Sequence, residues 1–157
     1  MPVEKLILFQ INNQMYGINV DYVSAIESVT DIVRVPNAPA NIEGIISLRG
    51  NVIPVYSLHK KFNTVLDTTR QESQLIITRS EDNVFAFMVD QVDEIHLMEK
   101  GQYLDPPNVL MCEKTSYIAG IAKIKDSLVL CIDVNELMSE AEKEKMQTFV
   151  EQMSNND

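Results

Sequence analysis

From Ile42 to Leu58, IEGIISLRGNVIPVYSL, apolar and polar positions alternate with a period of two on either side of a turn, the pattern of half-buried strands. Ile46 and Leu48 share one face, Ile45 and Ser47 the other. Gly50-Asn51 predicts the turn, because both residues tolerate the positive φ that tight hairpins require. Val52, Ile53, Val55 and Tyr56 form the returning strand. Pro54 has no N–H to give to a ladder, which predicts an edge strand or a bulge. Arg49 is left exposed beside the hairpin, a place that suits recognition as well as simple solvation.

The same period recurs along the chain. Leu6–Ile11 and Met15–Asn19 predict a hairpin around Asn12-Asn13, and Val33-Arg34-Val35 a short strand ended by Pro36. Asp21–Glu27 fits either a turn of helix or a crossing segment. His59–Phe62 predicts one helical turn, and 63–73, polar and without period, a connection. Further strands are expected at Gln74–Arg79, Val84–Val89, Ile95–Met98, Ile118–Ile124 and Leu128–Ile132. Many short strands separated by turn signals point to small barrels or a sandwich. Near the end, Ser139-Glu140-Ala141-Glu142 matches a capping box, followed by Met146, Phe149, Val150 and Met153 on one helical face. A helix over 139–153 is expected to pack on the strands, or to offer a Met-rich docking face. Ser154–Asp157 are expected to fray.

The chain reads as written twice. Residues 6–26 slide 69 positions onto 75–95 without a gap, placing Leu6 on Leu75, Tyr16 on Phe85, Asp21 on Asp90, Ala25 on Glu94 and Ile26 on Ile95. Residues 42–58 slide 76 positions onto 118–134, placing Gly44 on Gly120 and Arg49 on Lys125. The extra residues fall between Ile95 and Ile118, where Pro106-Pro107-Asn108 signals a loop. Each half carries a hairpin, a short connection and a second hairpin.

Charge and composition then narrow the function. A net charge of −10 over 157 residues argues against nucleic acid and anionic membranes, which need a basic surface. No apolar run reaches the roughly 18 residues of a membrane span, and the N-terminus lacks the pattern of a secretory signal. Cys112 and Cys131 are too few for a disulfide framework and read as reduced cytoplasmic thiols. His59 and His96 have no metal-ligand partner at the right spacing on their own elements. No phosphate-cradling glycine loop and no nucleophile elbow occurs. The expectation is a protein with no catalytic residue, metal or cofactor of its own.

The run VRVPNAPANIEGIISLRGNVIPVYSL, Val33 to Leu58, resembles the CheW-type chemotaxis coupling proteins. Its marks are the proline-flanked loop, the Ser-Leu-Arg-Gly turn and the Ile-Pro-Val strand. YGINVDYVSAI upstream and YIAGIAKIKDSLVLCIDVNELM downstream match family segments in order and spacing. The resemblance implies a mainly β fold of two SH3-like five-stranded barrels sharing a hydrophobic core, plus the C-terminal helix. It implies one domain over 1–157, with subdomains of about 12–70 and 71–135 and a first strand, 5–11, free to pair across them. It also implies a non-enzymatic, cytoplasmic adaptor between the tips of methyl-accepting chemoreceptors and the regulatory domain of the histidine kinase CheA, with copies of the adaptor itself as further partners in an array. The first barrel would meet the kinase, and the groove between barrels would take the receptor tip.

Carried onto this chain, the resemblance places Val23, Ala25, Gly44, Arg49, Leu75, Ala86 and Val92 on the receptor side, and Ile11, Ile26 and Val29 on an exposed kinase-facing edge. Two positions depart from the family pattern: Ala25 stands where many members carry glutamate, and Ser57 where they carry aspartate. The second half keeps acids at the equivalent places, Glu94 and Asp133. The chain carries no kinase or receiver segment, which favours a free-standing adaptor. Two alternatives stay open, the same adaptor in a non-motility array and a small-molecule-binding barrel or cysteine enzyme using Cys112.

Overall fold

A computed structural model describes residues 5–28, 31–62, 73–80, 83–104, 117–138 and 140–155. The connection expected over 63–73 falls almost wholly outside them, as do the Pro106-Pro107-Asn108 loop, Cys112, Val29 and Ser139. The strands in chain order are β1 (Lys5–Ile11), β2 (Gln14–Asn19), β3 (Val23–Ser28), β4 (Ile42–Leu48), β5 (Asn51–Ser57), β6 (Gln74–Ser80), β7 (Asn83–Val89), β8 (Gln91–Leu97), β9 (Tyr103–Leu104), β10 (Ile118–Ile124) and β11 (Ser127–Ile132). A 3₁₀ turn at Val20–Tyr22 precedes β3. The helices are α1 (Leu58–Lys61), α2 (Val134–Leu137) and α3 (Glu140–Asn155). Asp21–Glu27 is thus neither helix nor mere crossing but a turn and a strand. The expected strand at Val33-Arg34-Val35 shrinks to a single bridge, Val33 to Ile45.

The duplication is visible element by element. Moved 69 positions, β1, β2 and β3 fall on β6, β7 and β8. Moved 76 positions, β4, β5 and α1 fall on β10, β11 and α2. Even the irregularities match. The β3–β6 register slips between Val23 and Ala25, and the β1–β8 register slips between Ile7 and Phe9, at equivalent pairs.

The halves nevertheless trade hairpins. One sheet runs β3-β6-β7-β5-β4, the other β8-β1-β2-β11-β10-β9. The first hairpin of each half therefore sits in the sheet built mainly by the other half, and a boundary near residue 70 divides the sequence repeat rather than the sheets. Strand 5–11 pairs with β8, from the other half, as well as with β2. The reason lies in the apolar runs LILF and LII, which have something to bury on both faces. Leu6 and Leu8 point into a small core with Ala122, Ile124 and Val129, while Ile7, Phe9 and Ile11 join the central core. In the other sheet Leu75 and Ile77 pack with Ile46, Ile53 and Val55, while Ile76 faces the central core with Phe85, Phe87 and Val89. Each sheet so encloses its own core and shares a larger one between them.

Two turn expectations change. The β4–β5 turn is Arg49-Gly50, with φ of 53° and 84°, because Leu48 pairs with Asn51, which opens β5. Asn12-Asn13 and Lys125-Asp126 are also turns of positive φ. Nor is β5 an edge strand; it lies between β7 and β4. Ile45, opposite Pro54, directs its own N–H and C=O to Val33, so Pro54 owes β4 no donor, and pairing with β7 begins only at Val55. The irregularity of this hairpin lies instead between Ile42 and Gly44 on β4.

Ser57 caps α1 by accepting from the Lys60 N–H at 3.3 Å, and Asp133 caps α2 by accepting from Asn135 N–H at 2.9 Å. The serine at 57 keeps the capping function that the second half gives to aspartate. Helix α3 lays Met146 and Phe149 into the central core; the side chains of Val150 and Met153 lie outside the described residues. Glu142, expected in a capping box, accepts from the Tyr56 hydroxyl at 2.7 Å and from Lys61 Nζ at 3.1 Å. Burial, then the hydrogen bond to Glu142, raises the Tyr56 hydroxyl above its usual pKa. Tyr56→Phe removes that donor without changing ring packing. The expected loss is about 1–2 kcal/mol, with faster amide exchange along α3 than along the strands. Unchanged exchange in α3 would mean that the helix is held by Met146 and Phe149 alone.

Candidate functional site

A cleft of about 620 Å³ opens between β3, the β4–β5 turn, the β6–β7 hairpin and α3. Its floor is apolar, with Ala25 on β3, Ile53 on β5, and Ile77 and Phe85 on the central strands. Arg49 and Arg79 line it, and α3 adds Met146, Gln147 and Glu151. Arg49 reaches it because the turn holds its backbone at positive φ, fixing where the side chain leaves the sheet. Arg79 sits near the end of β6, opposite Val84. Both side chains are exposed, and among the described residues neither arginine forms an ion pair with a carboxylate. A planar five-donor head over an apolar floor can take a carboxylate in two parallel hydrogen bonds.

The expected receptor-side residues do not converge on one point. Ala25 and Arg49 share the cleft. Val23 and Val92, equivalent in the two halves, are half-buried and both pack against the central core. Leu75 and Ala86 are each 0% exposed, so they support the cleft from beneath and touch nothing outside the chain. Gly44 is buried, and the backbone it admits is the chain's own. A Cβ there would lie 2.3 Å from the Val33 carbonyl oxygen.

On the kinase-side edge, Ile26 is 40% exposed on β3, which among the described residues pairs only with β6 and so forms the edge of its sheet. Ile11 corrects the expectation. It is 1% exposed and belongs to the central core, because its strand is an inner strand with both faces covered.

Arg79 escaped the sequence reading, since a charged residue near a strand end looks like a solvated one. The signal was in the duplication: its equivalent is Gln10, a neutral residue on the matching strand. Tyr103 and Leu104 on β9, both exposed, were equally unannounced, because β9 has no periodic pattern of its own. Among the described residues no three metal-ligating side chains gather, and no helix is long and apolar enough to cross a membrane. Cys131 is buried, and its thiol donates to the Val129 carbonyl at 4.0 Å.

Comparison with known proteins agrees with this architecture. A family model described as a CheW-like domain matches residues 5–142. The chemotaxis protein CheW of Bacillus subtilis is 30% identical over 147 residues, covering 94% of this chain and 92% of that protein. The chemotaxis protein CheW of Treponema pallidum is 29% identical over 146 residues, covering 90% and 86%. Among solved structures, the scaffolding protein TtCheW from Thermoanaerobacter tengcongensis superposes with a TM-score of 0.78 at 29% identity, covering 88% of this chain and 90% of that one.

Proposed function

The chain belongs to the CheW-like domain family, and from that premise we propose that it is a non-enzymatic chemotaxis adaptor that couples methyl-accepting chemoreceptors to the histidine kinase CheA. Scaffolding in chemotaxis goes with the family; the two partners and their surfaces are our reading. The observation that carries it is the pairing of two separate, open features on one sheet, the apolar edge at Ile26 and the arginine turn at Arg49. An adaptor needs two faces that can be occupied together, held at fixed geometry, and no chemistry of its own. Ile26 on β3 serves the kinase regulatory domain. Arg49 and Ala25, with Val23 and Val92 toward the junction of the sheets, serve the receptor tip, and Leu75, Ala86 and Gly44 hold that surface in shape. The protein works in the cytoplasm, gathered into receptor arrays, where avidity raises the effective concentration of modest contacts.

Calorimetric titration into the regulatory domain of CheA from the same organism tests the kinase arm. Ile26→Arg places a charge in an apolar contact and should weaken binding about tenfold or more, with stability nearly unchanged because the site is an exposed edge. Arg49→Ala should weaken the receptor tip and spare the kinase. A folded protein that binds the kinase domain equally well with arginine at position 26 would remove β3 from that interface.

A further inference from the structure

The two sheets solve the same local problem in opposite ways. In the sheet that holds β1 and β8, Glu94 takes Lys125 Nζ at 3.3 Å, and Asp93 accepts from Gln10 Nε2 at 2.8 Å. The strand edge there supplies two carboxylates and the neighbouring elements supply a cation and an amide. In the other sheet the equivalent positions are Ser24 and Ala25 in place of the acids, with Arg79 in place of Gln10 and Arg49 in place of Lys125. Both carboxylates are gone and both donors have become guanidinium groups. Ser24 donates its hydroxyl to the Ile77 carbonyl at 3.3 Å, and it brings no charge to balance either guanidinium. Glu151 of α3 lines the same cleft, and among the described residues it forms an ion pair with neither.

We propose that the cleft is a carboxylate-accepting socket, in which a partner's acidic side chain completes between Arg49 and Arg79 the contact that Glu94 and Asp93 complete within the other sheet. Resting on the adaptor reading above, the occupant is a receptor-tip segment that presents an acidic side chain beside apolar ones. The charge argument is direct. In a chain of net charge −10, two guanidinium groups with no carboxylate partner among the described residues flank an apolar floor, a combination that attracts an acid-bearing apolar segment and rejects a basic one. Ala25 is then a specificity-determining residue. Its small side chain keeps the socket open, and a glutamate there would fill it from within, as Glu94 does across the pseudo-symmetry.

The test is titration of the cytoplasmic tip fragment of a chemoreceptor from the same organism into the full chain and four variants, each first checked for an unchanged thermal midpoint. Ala25→Glu should weaken binding about tenfold, the worth of a charge-assisted hydrogen bond withdrawn from the partner. Ala25→Gln, equal in size but uncharged, should weaken it much less. Arg79→Ala should also lose about tenfold, and Lys125→Ala, already paired inside the second half, should change it less than twofold. The full chain should lose affinity with added salt more steeply than Arg79→Ala. If the tip binds the full chain and the position-25 variants match each other, the socket is overturned while the adaptor reading stands. If Arg79→Ala binds as well as the full chain, Arg79 has no part in it and the socket falls. If the full chain binds neither the tip nor the kinase domain, the adaptor reading falls and takes the socket with it.

Discussion

Asp90→Ala will cost about 3–5 kcal/mol of stability, a large part of the roughly 5–15 kcal/mol that holds a domain of this size together. Asp90 lies between β7 and β8 and is 5% exposed. Its carboxylate meets His59 Nε2 at 2.6 Å and accepts from the Asn12 N–H at 2.7 Å. It therefore ties together α1 and the β1–β2 turn, from opposite sheets. Removing it leaves a buried imidazole without this acceptor, which costs about 1–3 kcal/mol, and a part-buried backbone N–H that adds less. Asp90→Asn keeps one acceptor oxygen and should lose less. The matched control is Asp21→Ala, the equivalent residue of the first half, which is exposed and accepts none of these bonds. Urea unfolding of the three variants checks the ranking. A loss below about 1 kcal/mol for Asp90→Ala would mean that water replaces the carboxylate at little cost.

Gly44→Val should be nearly as damaging, by about 3 kcal/mol or more, for a purely steric reason. The added Cβ would fall 2.3 Å from the Val33 carbonyl oxygen and 2.8 Å from Ile32 Cγ2. The oxygen belongs to backbone and cannot swing aside, so the Val33–Ile45 bridge must open, with its two hydrogen bonds of 2.9 Å. The equivalent Gly120 meets nothing closer than 4.0 Å, so Gly120→Ala should be neutral or slightly stabilising, since alanine restricts the unfolded chain. Hydrogen exchange at Val33 and Ile45 separates local opening from global loss. If both amides stay protected in Gly44→Val, the backbone of 31–35 has moved as a unit and the cost will be smaller than stated.

The paired controls show where legibility ends. Asp21 and Asp90 sit in the same Val-Asp-x-Val pattern, and Gly44 and Gly120 in the same strand, yet one member of each pair is critical and the other is not. Local pattern is blind to this difference, because it is made by residues far along the chain, His59 and Asn12 for Asp90 and the Val33 backbone for Gly44. The candidate site divides in the same way. Arg49 was marked by its turn and Ile26 by the family resemblance. Arg79 was not marked, and Ile11 was misplaced at an edge.

The period of two along LILFQI, IIS and LVLCI, the positive-φ tolerance of Asn12-Asn13, and the repeat of 6–26 and 42–58 are properties of short stretches, so the sequence by itself determined the strands other than β3 and β9, the hairpins, the C-terminal helix and the double unit. Which sheet each hairpin joins is another matter. A strand with two apolar faces needs cover on both, and β1 and β6 find it only by crossing into the sheet built by the other half. That exchange, made by long-range burial, buried Ile11, brought Arg79 beside Arg49 across β6 and the β4–β5 turn, and set α3 along the cleft. Only the tertiary structure decides such placements, since hydrophobic burial is non-directional and is satisfied by whichever partner completes the core.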